Sequence, residues 1–147
     1  MFPFLKMNGL GNDFVVIDSR TKDPEAPGGP EGGERPPWTV PLAPDLARRI
    51  ADRRRGVGCD QLVVIEESDD PKALAFLRFL NADGGEAGAC GNGARCVAAH
   101  LMQELSVERI VVETRAGLLT AECCDDGLVS VDMGPAFLKW RDIPLSH

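Results

Sequence analysis

No stretch of the chain stays apolar for the roughly 18 to 20 residues that cross a bilayer, and the opening MFPFLKMNGLG has no continuous apolar core of the kind a secretory signal carries. No membrane partner is expected, and the expected location is cytoplasmic. Positive charge is in deficit as well. Sixteen Lys and Arg against 23 Asp and Glu leave a formal charge of −7, a field that repels phosphate backbones, so nucleic acid is not an expected partner. The Cys-x-x-Cys spacing of a zinc site is missing, and Cys96 with His100 makes only an i, i+4 pair, so no metal is expected. The chain also lacks the Lys-Ser/Thr of a phosphate-binding loop and a G-x-G-x-x-G after a strand, which removes the usual nucleotide sites. His100, the one internal histidine, has no matching Ser or Asp motif and reads as a core residue of a helix. Five cysteines, an odd number without the spacing of a disulfide scaffold, read as reduced thiols.

The 147 residues that are present have the length of one ordinary domain, and 44% of them are hydrophobic, enough for a core. An alternating segment around Phe2 and Phe4, the turn NGLGN and the β-branched DFVVID predict two strands about a loop. Residues 23–44 hold seven of the eleven prolines and four glycines, and read as a surface insertion, largely disordered. A helix is expected from Pro44, with Leu46, Ala47, Ile50 and Ala51 on one face and Gly56 as its stop; Arg53, Arg54 and Arg55 then read as its solvated end. The runs at 62–65 and around AFLRFLNADGG predict two more strands. From Gly91 to Leu105, Ala94, Val97, Ala98, Leu101, Met102 and Leu105 follow helical spacing, and Cys96 and Ala99 widen the apolar surface until other structure must enclose it. RIVVET, LLTAEC and LVSVDM close the chain as strands, which gives an α+β layout.

One stretch stands out chemically: ACGNGARC, residues 89–96. Cys90 precedes the buried helix, and Gly91, Asn92 and Gly93 lack bulk that would block approach to their N–H groups. Free N–H groups and the positive end of the helix dipole favour an anion there, a thiolate or a bound carboxylate. On spacing alone, Cys90 is equally a small residue packing a helix start. Cys96 reads as core packing, Cys123 and Cys124 point to opposite faces of a strand end, and Cys59 lies on a glycine-rich loop. Asn12, Gln61 and Asn81 each stand at a junction of loop and strand, where a side-chain amide can reach a ligand from a rigid frame.

These residues carry a resemblance. KMNGLGNDFVVID, ADRRRGVGCDQLVV and FLNADGGEAGACGNGARC, in this order, resemble the diaminopimelate epimerase family, from about residue 4 to the end of the chain, with Asn8 where the family often has His. The resemblance implies a cofactor-independent isomerase that interconverts L,L- and meso-2,6-diaminopimelate in lysine and peptidoglycan precursor synthesis. It implies two cysteines on opposite faces of the substrate α-carbon, one a thiolate base and the other a thiol acid, with Cys90 matching the first. Asn12, Gln61 and Asn81 match substrate contacts, and Gly91 and Asn92 match the helix start that holds the α-carboxylate. The implied fold is a curved, mainly antiparallel sheet wrapped around a central helix, and members are commonly homodimers. The family's second half, with its own cysteine-bearing helix start, has no counterpart here. The expectation is therefore an N-terminal domain over residues 1–138, the start of an interdomain linker at 139–147 and an absent C-terminal domain, the isolated chain being inactive. The alternatives are a non-catalytic carboxylate-binding domain, or a related amino-acid racemase that works without pyridoxal phosphate.

Overall fold

The computed structural model describes residues 3–20 and 42–135. The expected insertion at 23–44 lies outside them except for Leu42, Ala43 and Pro44, and the expected linker at 139–147 lies wholly outside.

The chain begins with a hairpin. β1 (Leu5–Gly9) pairs antiparallel with β2 (Asn12–Asp18) through Leu10 and Gly11, both at positive φ (52° and 89°), the geometry that lets a two-residue loop match the twist of its strands. β1 starts at Leu5 rather than in the expected Phe2/Phe4 alternation, and Phe4 is exposed. Helix α1 (Pro44–Ala51) follows, then β3 (Gln61–Glu66), which lies parallel to β2, and β4 (Phe76–Asn81), antiparallel to β3. The two-residue β5 (Glu86–Ala87) pairs with β4. Helix α2 (Gly91–Leu105) then carries the chain to β6 (Arg109–Thr114), parallel to β4, and β7 (Gly117–Cys123) and β8 (Val129–Asp132) complete an antiparallel meander.

The resulting sheet runs β1-β2-β3-β4-β6-β7-β8, mainly antiparallel, with the two parallel pairings where α1 and α2 make their crossovers. Strands from both ends of this order, β1 and β8, pack against α2. A sheet whose two edges touch one helix must curl around it, and the fold is a half-barrel with α2 inside.

Strand periodicity builds a core on each face. Phe14 and Val16 of β2, Val63 and Ile65 of β3, and Leu77 and Phe79 of β4 point inward to Val97, Ala98 and Leu101 of α2. The alternate residues Val15, Ile17, Leu62, Val64 and Leu80 point outward to Ala47 and Ala51 of α1. This two-sided burial explains why DFVVID and QLVVIE read as continuous apolar runs instead of alternating ones.

Helix α1 stops at Ala51, short of Gly56. Asp52 leaves helical geometry, and its carboxylate accepts the N–H groups of Arg54 (2.7 Å) and Arg55 (3.0 Å), which turns the chain. The three arginines are thus in a turn, not on a helix end.

Candidate functional site

The inward-facing rows of three strands end in amides. Asn12 precedes Phe14 and Val16 in the inward row of β2, Gln61 precedes Val63 and Ile65 in β3, and Asn81 follows Leu77 and Phe79 in β4. Register puts them at the same end of the sheet, because Gln61 pairs with Asn81 on one side and with Phe14, two residues from Asn12, on the other. The first turn of α2 reaches this end. Gly93 lies so close to the sheet that a Cβ on it would stand 2.9 Å from Cε1 of Phe79 and 3.3 Å from Cε1 of Phe14.

Two hydrogen bonds fix the amides. Asn92 Nδ2 donates to Asn12 Oδ1 at 2.9 Å, which ties the start of α2 to the start of β2, and Gln61 Nε2 donates to Asn81 Oδ1 at 2.7 Å. Arg95, which sequence reasoning did not single out, donates to Asn92 Oδ1 (3.3 Å) and to the Val129 carbonyl (3.1 Å). It holds the Asn92 amide with its NH2 group toward Asn12.

Cys90 is the N-cap of α2, extended at φ −143° and ψ 112°, and its Sγ accepts the Gly93 N–H at 3.5 Å. The sulfur occupies the place of the usual cap oxygen, at the positive end of a buried helix. Its neighbours Gly91 and Asn92 form the first turn, whose N–H groups have no partner within the helix. All the residues singled out, Asn12, Gln61, Asn81, Cys90, Gly91 and Asn92, therefore belong to one end of the concave face: the amides meet in two pairs, and Cys90 caps the helix whose Asn92 makes one of them.

The remaining thiols take other places. Cys59 is buried in the outer core, and that burial pushes its thiol up. Cys96 packs against the inner core and is likewise raised by burial. Cys123 and Cys124 are exposed at the end of β7, with Cys123 Sγ 3.9 Å from Met102 Sδ. His100 is half-buried and borders a cavity of about 390 Å³ toward the other end of β2, together with Asp18 and Arg20. Among the described residues no group of three or more His, Cys, Asp or Glu could hold a metal ion, and no helix is long and apolar enough to cross a membrane.

On the convex side of the same end lies an ion cluster. Arg53 donates from Nη1 (3.0 Å) and Nη2 (2.7 Å) to the two oxygens of Asp13 and from Nη2 to Asp60 (2.9 Å), while Lys6 reaches Asp13 at 2.7 Å. Arg53 and Lys6 hold the Asp13 carboxyl well below the usual carboxylate range. The solvated reading of the arginines holds for exposure, since the Arg53 side chain is 58% exposed, but it misses that the turn after Asp52 aims this side chain back at the strand starts.

A half-barrel closed on a helix that a cysteine caps, with amides gathered at that end, is an α+β epimerase-like domain. By fold it is similar to the crystal structures of a hydroxyproline epimerase from Agrobacterium vitis (TM-score 0.56, 19% identity, 87% of this chain and 40% of that one) and of methylitaconate-delta-isomerase (TM-score 0.59, 20% identity, 92% and 39%). At those identities the likeness is one of fold. In sequence, the family described as Diaminopimelate epimerase matches residues 4–139, and the chain belongs to that family. It is 52% identical over 145 residues to the diaminopimelate epimerase of Acidiphilium cryptum and 49% identical over 147 residues to that of Phenylobacterium zucineum. Each match takes in 99% of this chain and 46% of the relative, so the chain spans about half the length of these relatives.

Proposed function

We propose that this chain forms the Cys90-bearing half of a cofactor-independent epimerase that converts L,L-2,6-diaminopimelate to meso-2,6-diaminopimelate. Inverting a stereocentre requires a proton to leave one face of the α-carbon and another to arrive on the opposite face, so two groups must flank it. Cys90 is the thiolate base on one face. The opposing thiol comes from a second domain, and this chain alone does not turn over at a useful rate. The Gly91 and Asn92 N–H groups take the α-carboxylate at the positive end of α2, where they stabilise the charge that builds as the proton leaves. Asn12, Gln61 and Asn81 contact the substrate from the strand ends. The complete enzyme serves lysine and peptidoglycan precursor synthesis in the cytoplasm as a homodimer.

The observation that carries this reading is the capping of α2 by Cys90, with its sulfur on the Gly93 N–H, at the end where Asn12, Gln61 and Asn81 converge. Competitive alkylation near neutral pH tests it against a non-catalytic carboxylate-binding domain. Exposure alone ranks Cys123 and Cys124 first, since Cys90 is only half exposed. The proposed role requires Cys90 to label fastest, with Cys59 last. Dominant labelling of Cys123 or Cys124 would count against a thiolate at the helix start.

A further inference from the structure

Asp13 and Asp60 are each one residue along the chain from a proposed substrate contact, Asn12 and Gln61. They bond reciprocally across the parallel strand starts: the Asp13 N–H donates to Asp60 Oδ2 at 2.9 Å, and the Asp60 N–H donates to Asp13 Oδ1 at 3.0 Å. Two carboxylates held this close repel each other. The opposition is removed by Arg53, which is bidentate to Asp13 and also bridges to Asp60, and by Lys6, which reaches Asp13 and the Gly58 carbonyl. Two anions and two cations sum to zero. Without the guanidinium the cluster carries one negative charge, and only backbone N–H bonds, including that of Asp60 to the Asp13 carbonyl at 3.0 Å, are left to hold the repelling pair together.

Alternation along a strand places this cluster on the face opposite the amides. Lys6 and Val15 are register partners, and Val15 packs in the outer core, whereas Asn12 and Gln61 continue the inner rows. Arg53 is thus on the far side of the sheet from the substrate. The geometry points to Arg53 as a positioning residue: by bridging Asp13 and Asp60 on the convex side, it holds the starts of β2 and β3 so that Asn12 and Gln61 present their amides to substrate on the concave side. This rests on the proposed substrate contacts, and the test separates the two.

The experiment uses the 147-residue chain with three readouts: the NMR positions of the Asn12 and Gln61 side-chain NH2 groups, hydrogen exchange at the Asp13 and Asp60 N–H groups, and affinity for L,L-diaminopimelate. Arg53→Ala should shift both NH2 signals, speed exchange at both N–H groups by roughly tenfold and weaken affinity by a similar factor. Adding Asp60→Asn removes the unbalanced charge but keeps an oxygen for the Asp13 N–H, and should restore all three readouts toward the starting values. Should Arg53→Ala not fold, Arg53→Lys replaces it; one ammonium cannot reproduce the fork, so the changes are in the same direction but smaller, and Asp60→Asn again reverses them. A double variant as disturbed as the single one, or unchanged NH2 signals in Arg53→Ala, would overturn the positioning role. If the unaltered chain binds no diaminopimelate, the substrate reading fails, while the NH2 and exchange readouts still decide whether Arg53 positions Asn12 and Gln61.

Discussion

Substituting Gly93 by alanine sets two effects of known sign against each other. Alanine is the better helix former by about 1 kcal/mol in a helix interior, and by less in the first turn, where Gly93 lies. Opposing it, the new methyl would stand 2.9 Å from Phe79 Cε1 and 3.3 Å from Phe14 Cε1. Both rings are fully buried at 0% exposure, so neither can swing away, and the helix start must lift from the sheet. Overpacking of this kind costs roughly 1–3 kcal/mol, which leaves a net loss of roughly 0.5–2.5 kcal/mol after a first-turn propensity gain of about 0.5 kcal/mol. Gly91 is the internal control. A methyl there would meet Met133 Sδ at 3.6 Å, an ordinary contact, so Gly91→Ala should stay within about 0.5 kcal/mol of the unaltered chain. Urea denaturation of the three chains measures both values. If Gly93→Ala proves as stable as Gly91→Ala, the close approach of α2 to Phe79 and Phe14 is wrong, and with it the placement of Cys90.

Two further outcomes follow from named bonds. In a double-mutant cycle, Asn12→Ala and Asn92→Ala should couple by about 0.5–1.5 kcal/mol, the worth of one neutral hydrogen bond; additivity would mean that the 2.9 Å contact does not link β2 to α2 in solution. Asp13 is held below its ordinary range in the folded state, so its contribution is fully present above the unfolded carboxylate value of about 4 and is lost as pH falls through the folded value. Arg53→Ala should therefore lower the urea midpoint at neutral pH and narrow its gap to the unaltered chain on acidification below about pH 4; a gap independent of pH would contradict the ion cluster.

Much of the fold is legible locally. The i, i+3, i+4 spacing of Ala94, Val97, Ala98, Leu101 and Met102 identifies α2 and its enclosure, because a helix buried on most sides has few polar positions to spare. The turn at Leu10-Gly11, within NGLGN, is equally plain. The curl of the sheet is implied by the family resemblance but is not legible in any local pattern, since the parallel pairings of β2 with β3 and of β4 with β6 join segments far apart in sequence and leave no local period. At the site, the order of the motifs brings out Asn12, Gln61, Asn81 and Cys90, whereas the Asn12–Asn92 and Gln61–Asn81 bonds appear only once the strands are in register. Gly93 changes its meaning. In sequence it leaves N–H groups accessible, and in the fold it also lets α2 press on two phenylalanines. Arg53 was hidden because a charged run after a helix most often faces water, and only the turn made by Asp52 aims it at Asp13 and Asp60.

The role of Cys90 is tested most directly by grafting residues 4–139 into the corresponding segment of the Acidiphilium cryptum diaminopimelate epimerase, 52% identical here, and following L,L-diaminopimelate in D2O by NMR. The chimera should give meso-diaminopimelate with solvent deuterium at the inverted α-carbon, and Cys90→Ala within it should abolish the inversion while leaving the fold intact. Inversion by the Cys90→Ala chimera at the unaltered rate would contradict Cys90 as the base.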